Sequence, residues 1–110
     1  MQLVFEVQGS ASAPHRVTFE NRGGGNLAAF CTCPAGQAGQ YCKHRLSILA
    51  GSTANIVSGN EPEVQLVAAW LKGSDVERCL HALHEAEQNL EAAKRGVTRA
   101  KQAVAQALRD

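Results

Sequence analysis

The chain has 110 residues, 45 % of them hydrophobic and 19 % charged, and carries a net charge of +1. That length allows one small domain plus an extension, and the composition is that of an ordinary folded chain. Near-neutrality argues against a protein that binds by neutralising phosphates, and one Trp and one Tyr make a poor stacking platform for single strands.

From the N-terminus, three stretches alternate apolar with polar residues: Leu3, Phe5 and Val7, then Val17 and Phe19, then Leu27, Ala29 and Cys31. They read as antiparallel strands, with turns at Gly9 to Pro14 and at Arg22 to Asn26. The first residues contain neither a basic region followed by an apolar core nor any run near eighteen apolar residues, so no signal peptide or spanning helix is expected. A reducing cytoplasm is the expected compartment, or a nucleoid or nucleus if the chain associates with DNA. In that setting thiols stay available to metal, and Cys79 reads as a small buried side chain rather than half of a bridge.

The third strand leads into Cys31-Thr-Cys33-Pro34, and eight residues later come Cys42-Lys-His44. Residues two apart in extended backbone face the same side, so each pair can present both of its donors to one ion. Pro34 keeps Cys33 extended, while Gly36 and Gly39 let the chain double back. Cys31, Cys33, Cys42 and His44 therefore form a Cys3His set for one zinc ion per chain, a closed tetrahedral shell with no open position. A Cys31–Cys33 disulfide would be strained. The rival occupant is an iron–sulfur cluster, but small Cys3His two-iron proteins place the His four residues after the third Cys, and here it follows by two. Arg45 to Ala50 has helical spacing, with Gly51 placed for a left-handed cap.

Cys-x-Cys-Pro, a short loop, then Cys-Lys-His before an apolar helix resembles the SWIM-type zinc finger. Cys31, Cys33, Cys42 and His44 occupy its four ligand positions in order, and Pro34, Lys43, Leu46 and Leu49 are similar to its usual companions. The resemblance covers about Val17 to Ala50. It implies a module that binds DNA or proteins, as in chromatin-remodelling ATPases, transposases and recombination-associated proteins. No segment among these residues reads as an ATPase, transposase or kinase domain.

Residues 52–60 read as a linker. Asn60, Pro62 and Glu63 then signal a helix start that Gly73 ends, with Trp70 as its anchor on the finger or on the following helix. Ser74 and Glu77 repeat the signal, and no proline interrupts the chain from there to Arg109. On that helix Val76, Leu83, Leu90, Val97 and Val104 recur every seven residues, as do Cys79, Ala86, Ala93, Ala100 and Ala107. This is a coiled-coil pattern. Ala82, Gly96 and Ala103 beside it suit close helix approach, which would offset the roughly 1 kcal/mol that Gly96 costs in helix propensity. Acidic residues precede basic ones along the helix, so antiparallel self-association, with Glu87 near Lys101 of the partner, is favoured over parallel pairing. A helix of another protein, or folding back onto 61–72, would also cover the stripe. Cys79, His81, His84 and Glu85 have spacing that permits a second metal site, although exposed residues on a polar face explain them as well.

The expected fold class is α+β. A small three-stranded antiparallel meander with a zinc finger and short helix occupies 1–51, a linker follows at 52–60, and a helical region occupies 61–110, as a helical hairpin or a long coiled-coil helix with its arm at about 74–109. The expected function is a non-enzymatic, zinc-stabilised interaction module without catalytic residues. It binds protein through Gln37, Gln40, Tyr41, Lys43 and Arg45 and forms a homodimer through its C-terminal helix. The alternative is a DNA-binding accessory protein that uses His15, Arg16, Lys43 and Arg45.

Overall fold

The computed structural model describes residues 1–109. Strands β1 (Gln2–Val7), β2 (His15–Asn21) and β3 (Leu27–Cys31) form an antiparallel sheet in sequence order. Phe5 pairs with Val17 and Val17 with Cys31, so the odd-numbered residues predicted to face inward lie on one side of the sheet. Phe5 and Phe19 meet edge-to-face on that side, with ring centroids 6.0 Å apart. The turn before β3 needs three consecutive glycines because Gly23, Gly24 and Gly25 all adopt positive φ.

Four helices follow: α1 (Pro34–Gln37), α2 (Lys43–Leu49), α3 (Val64–Leu71) and α4 (Asp75–Arg109). Ile48 and Leu49 of α2 and Val64 and Val67 of α3 complete the core against the inner face of the sheet. Trp70 packs on the same core, so it anchors α3 to the finger. Gly51 takes φ +90° after α2, the left-handed position expected of it.

The packing divides the chain differently from the expected boundaries. One compact unit is Met1–Glu77 and a second begins at Arg78, within α4. A finger ending at residue 51 would lack Val64 and Val67, which are 3 % and 0 % exposed. Nor are residues 52–60 a loose linker. They run along the outer edge of β1, where the Gln8 N–H donates to the Asn55 carbonyl at 2.8 Å and the Val57 N–H to the Glu6 carbonyl at 2.8 Å. The Glu6 N–H donates to Ser58 Oγ at 3.0 Å, and Asn60 Nδ2 donates to the Val4 carbonyl at 2.8 Å. An unpaired strand edge is a liability, and this segment satisfies its backbone groups.

The helix expected from Glu61 begins instead as a 3-10 turn, Glu61–Glu63. The Asn60 side chain does not cap it, because Oδ1 accepts from the Ser58 hydroxyl while Nδ2 donates to the Val4 carbonyl and to Glu63 Oε2. The second start signal behaves more nearly as read. Ser74 Oγ accepts the Glu77 N–H at 3.1 Å, while Glu77 Oε1 accepts the Gly73 N–H at 2.9 Å, one residue earlier than a capping box requires. Asp75 joins this helix start to the glycine turn, its N–H donating to Gly25 and its carboxylate accepting from Leu27.

Along α4 two expectations change. Val76, assigned to the coiled-coil stripe, packs against the core of the first unit. Cys79, expected to be buried, is exposed. Leu83, Leu90, Val97 and Val104 are 38 %, 55 %, 54 % and 60 % exposed, so one chain leaves the stripe uncovered. No helix among the described residues is long and apolar enough to cross a membrane.

If α3 belongs to the folding unit, Val67→Ala destabilises the first unit by on the order of 2 kcal/mol through lost burial and a residual cavity. Urea melts of the two proteins measure it, and an unchanged midpoint would mean that α3 is dispensable.

Candidate metal centre

Each donor sits where an element begins or ends. Cys31 is the last residue of β3, Cys33 is the N-cap of α1, and Cys42 is the N-cap of α2 with His44 in its first turn. Pro34 holds Cys33 extended at φ −67° and ψ 160°, as expected, but also starts the short helix α1 where a plain loop was expected. Cys33 Sγ caps that helix by accepting the Gly36 N–H at 3.2 Å. Cys42 is extended as well, but the chain turns helical at Lys43, so His44 is delivered by the helix start rather than by a continuous strand.

The four donor atoms lie within 4.8 Å of one another, and this is the one such grouping among the described residues. Cys33 Sγ and Cys42 Sγ are 3.4 Å apart, while His44 Nδ1 is 3.8 Å from Cys31 Sγ and 3.7 Å from Cys42 Sγ. A tetrahedron with zinc–sulfur bonds of about 2.3 Å has edges of about 3.8 Å, so these separations fit zinc. The three thiols are buried and His44 is half-buried. The cluster thus fits one zinc ion per chain, with its four positions filled by protein. Cys79, His81, His84 and Glu85 are not brought together as a second group.

Without the cation, three thiols this close cannot all ionise. Burial pushes Cys31 up to about 12, and the neighbouring sulfurs of Cys33 and Cys42 add to the rise. Burial also acts to raise Cys42, but the Arg45 backbone N–H and hydrogen bonds from Cys33, His44 and Cys31 outweigh it and bring that thiol down to about 6. Cys42 therefore gives up its proton more readily than Cys31, which must lose its own to bind metal.

Close packing supports the ligands. A Cβ on Gly36 would lie 2.5 Å from the Cys31 carbonyl oxygen and 2.8 Å from the Cys31 Cβ, so glycine at 36 is a steric requirement. His15 lies against His44 with ring centroids 4.9 Å apart, and Gly9 leaves room beside the Nε2 edge of His44. The sequence marks His15 only as one residue of a suggested basic patch. Its place beside a ligand depends on β2 pairing in register with both β1 and β3.

Of the predicted partner surface, Gln37, Gln40, Tyr41 and Lys43 are exposed, with Tyr41 at 69 %. Arg45 is half-buried. Its guanidinium turns inward and donates to the Ala29 carbonyl at 3.2 Å and to the Gln40 carbonyl, tying the ligand loop to β3. His15 and Lys43 remain together, lining a hollow of about 450 Å³ beside the ligands with Ser10, Pro34, Ala35 and Tyr41.

Residues 15–50, about a third of the chain, match the family model of the SWIM zinc finger. The matched segment contains all four grouped donors. No curated protein and no solved structure matches the chain.

Three outcomes follow from this geometry. Elemental analysis finds one zinc per chain, and its removal by a strong chelator unfolds the first unit, because a structural zinc supplies on the order of 10 kcal/mol to small folds. Gly36→Ala destabilises the zinc-bound protein by about 1–3 kcal/mol through overpacking against Cys31, measured by thermal melting. Zinc affinity falls with acidification: Cys31 releases a proton on binding, so the constant drops by about tenfold per pH unit for each proton displaced between about pH 8 and 6.5. Below about pH 6 protonation of Cys42 steepens the fall. Chelator competition across pH measures the slope, and a flat profile would contradict the assignment of Cys31 as a ligand.

Proposed function

We propose that this chain is a non-enzymatic interaction module, a zinc-stabilised finger that recognises protein and an α4 helix that mediates self-association. The observation that carries the reading is the closed Cys3His shell. With three sulfurs and one imidazole filling a tetrahedron, the metal supports shape rather than presenting an open position for water or substrate. The exposed face beside it, formed by Gln37, Gln40, Tyr41 and Lys43, offers an aromatic side chain and hydrogen-bonding groups with little net charge. Such a surface suits a protein partner better than a phosphate backbone.

Nucleic-acid association is the second reading, favoured by the proximity of His15 and Lys43 around one hollow. It is weakened by Arg45, whose guanidinium is engaged by the Ala29 and Gln40 carbonyls. A cytoplasmic location is proposed on the basis of thiols that must stay reduced to hold zinc. The uncovered stripe of Leu83, Leu90, Val97 and Val104 supports self-association.

Two measurements separate these readings. Light scattering at micromolar concentration gives twice the 11.7 kDa chain mass if α4 self-associates, and a monomer removes that part of the proposal. A labelled duplex titrated at low salt shows no shift with protein up to about 10 μM, since even non-specific DNA binders reach dissociation constants of about 10⁻⁴–10⁻⁶ M at physiological salt and bind tighter below it. A shift that weakens steeply with added salt would establish the nucleic-acid reading instead.

A further inference from the structure

We propose that α4 pairs with α4 of a second copy of this chain in antiparallel orientation, in a register symmetric about Arg95. This rests on the self-association reading above and specifies its geometry.

Side-chain volume is the first argument. The stripe alternates large residues, Leu83, Leu90, Val97 and Val104, with Ala86, Ala93, Ala100 and Ala107. In a parallel pair like faces like, so large–large layers would alternate with Ala–Ala layers and no single helix separation would fill both. Antiparallel pairing sets each large residue opposite an alanine, and one short separation serves every layer.

Gly96 supplies an independent observation. A Cβ there would meet nothing within 4 Å inside the chain, and its φ lies outside the left-handed region. Nothing in the described chain therefore calls for glycine in the middle of this helix. A second helix backbone passing close to the flank that carries Ala82, Gly96 and Ala103 does.

Charge and the remaining apolar residues choose the orientation and register. Glu85, Glu87 and Glu91 precede Lys94, Arg95, Arg99 and Lys101, so antiparallel pairing sets acid against base while parallel pairing stacks like charges. Val76 is already spent on the core of the first unit. Symmetry about Arg95 then sets Leu83 against Ala107 of the second copy, Leu90 against Ala100, Val97 against Ala93 and Val104 against Ala86. The same register brings Glu87 beside Lys101 and Leu80 beside Leu108, which lies off the stripe and is 82 % exposed. The two Lys94 side chains approach the axis, each held 3.5 Å from Glu91 of its own helix. A register one heptad shorter sets Cys79 against Val104 and leaves Ala107 and Leu108 without partners.

In the proposed register the two Gly96 residues lie about 3 Å apart along the helix axis, whereas the two Cys79 residues are on the order of 50 Å apart. The test is mild oxidation of the zinc-loaded full chain. Gly96→Cys in a Cys79→Ser background forms a reducible covalent dimer at least about tenfold faster than Arg95→Cys on the outer face of the helix. Lys94→Cys, also beside the axis but on the other flank, repeats the result if a side chain at 96 disturbs close approach. Covalent dimerisation of the unsubstituted chain through Cys79 would show parallel pairing and overturn the proposal. A dimeric mass without cross-linking at either 96 or 94 would overturn the register while leaving self-association standing. A mass of 11.7 kDa would remove both.

Discussion

The clasp of Cys31, Cys33, Cys42 and His44 is the constraint from which the finger takes its form. It gathers the end of β3, the cap of α1 and the start of α2, elements of five, four and seven residues that cannot each bury enough surface to persist alone. Three thiols held within a few ångströms are mutually unfavourable as anions, and burial pushes Cys31 up while hydrogen bonds, that of the Arg45 backbone first, bring Cys42 down. A dication removes that conflict and converts a repulsive cluster into a joint. Gly36 and Arg45 show how closely the loop is fitted to this joint, the first by leaving space at Cys31 and the second by binding Ala29 and Gln40 from inside.

Around the joint the rest of the first unit supplies ordinary hydrophobic burial. Phe5, Val17 and Phe19 are fully enclosed only because α2 and α3 lie over the inner face of the sheet. The segment along β1 closes the exposed edge, and the hydrogen bonds of Asp75 fasten the glycine turn to the start of α4. Metal and core are thus complementary: zinc determines the path of the ligand loop, and α3 completes an interior that the finger segment alone would leave open.

From Arg78 onward the governing physics differs. A helix with no buried residue retains a continuous apolar stripe, alternately large and small, that its own chain does not cover. Such a pattern fits association more readily than solvation, and the alternation of leucine or valine with alanine constrains the geometry of association as strongly as the charges do.

The ligand set, the three strands, the glycine turn and the long helix were all legible in the residues, because each depends on local chemistry: donor spacing, alternation, backbone freedom or a heptad period. Residues 52–60 carry only two adjacent β-branched residues, Ile56 and Val57, among small and polar ones, too short a run to read as a strand, so their pairing with β1 was hidden until an edge was available to receive them. Arg45 looked like surface charge because its carbonyl partners, Ala29 and Gln40, lie elsewhere in the chain. Val76 satisfied the heptad period and the finger core equally well, and only the packing around it decided between them. The sequence by itself determined which residues can hold a metal and which face of the last helix is apolar, since those properties reside in short-range spacing. Only the tertiary structure decided the extent of the folding unit, the inward turn of Arg45 and the position of His15 against His44, since these require contacts between residues distant in sequence.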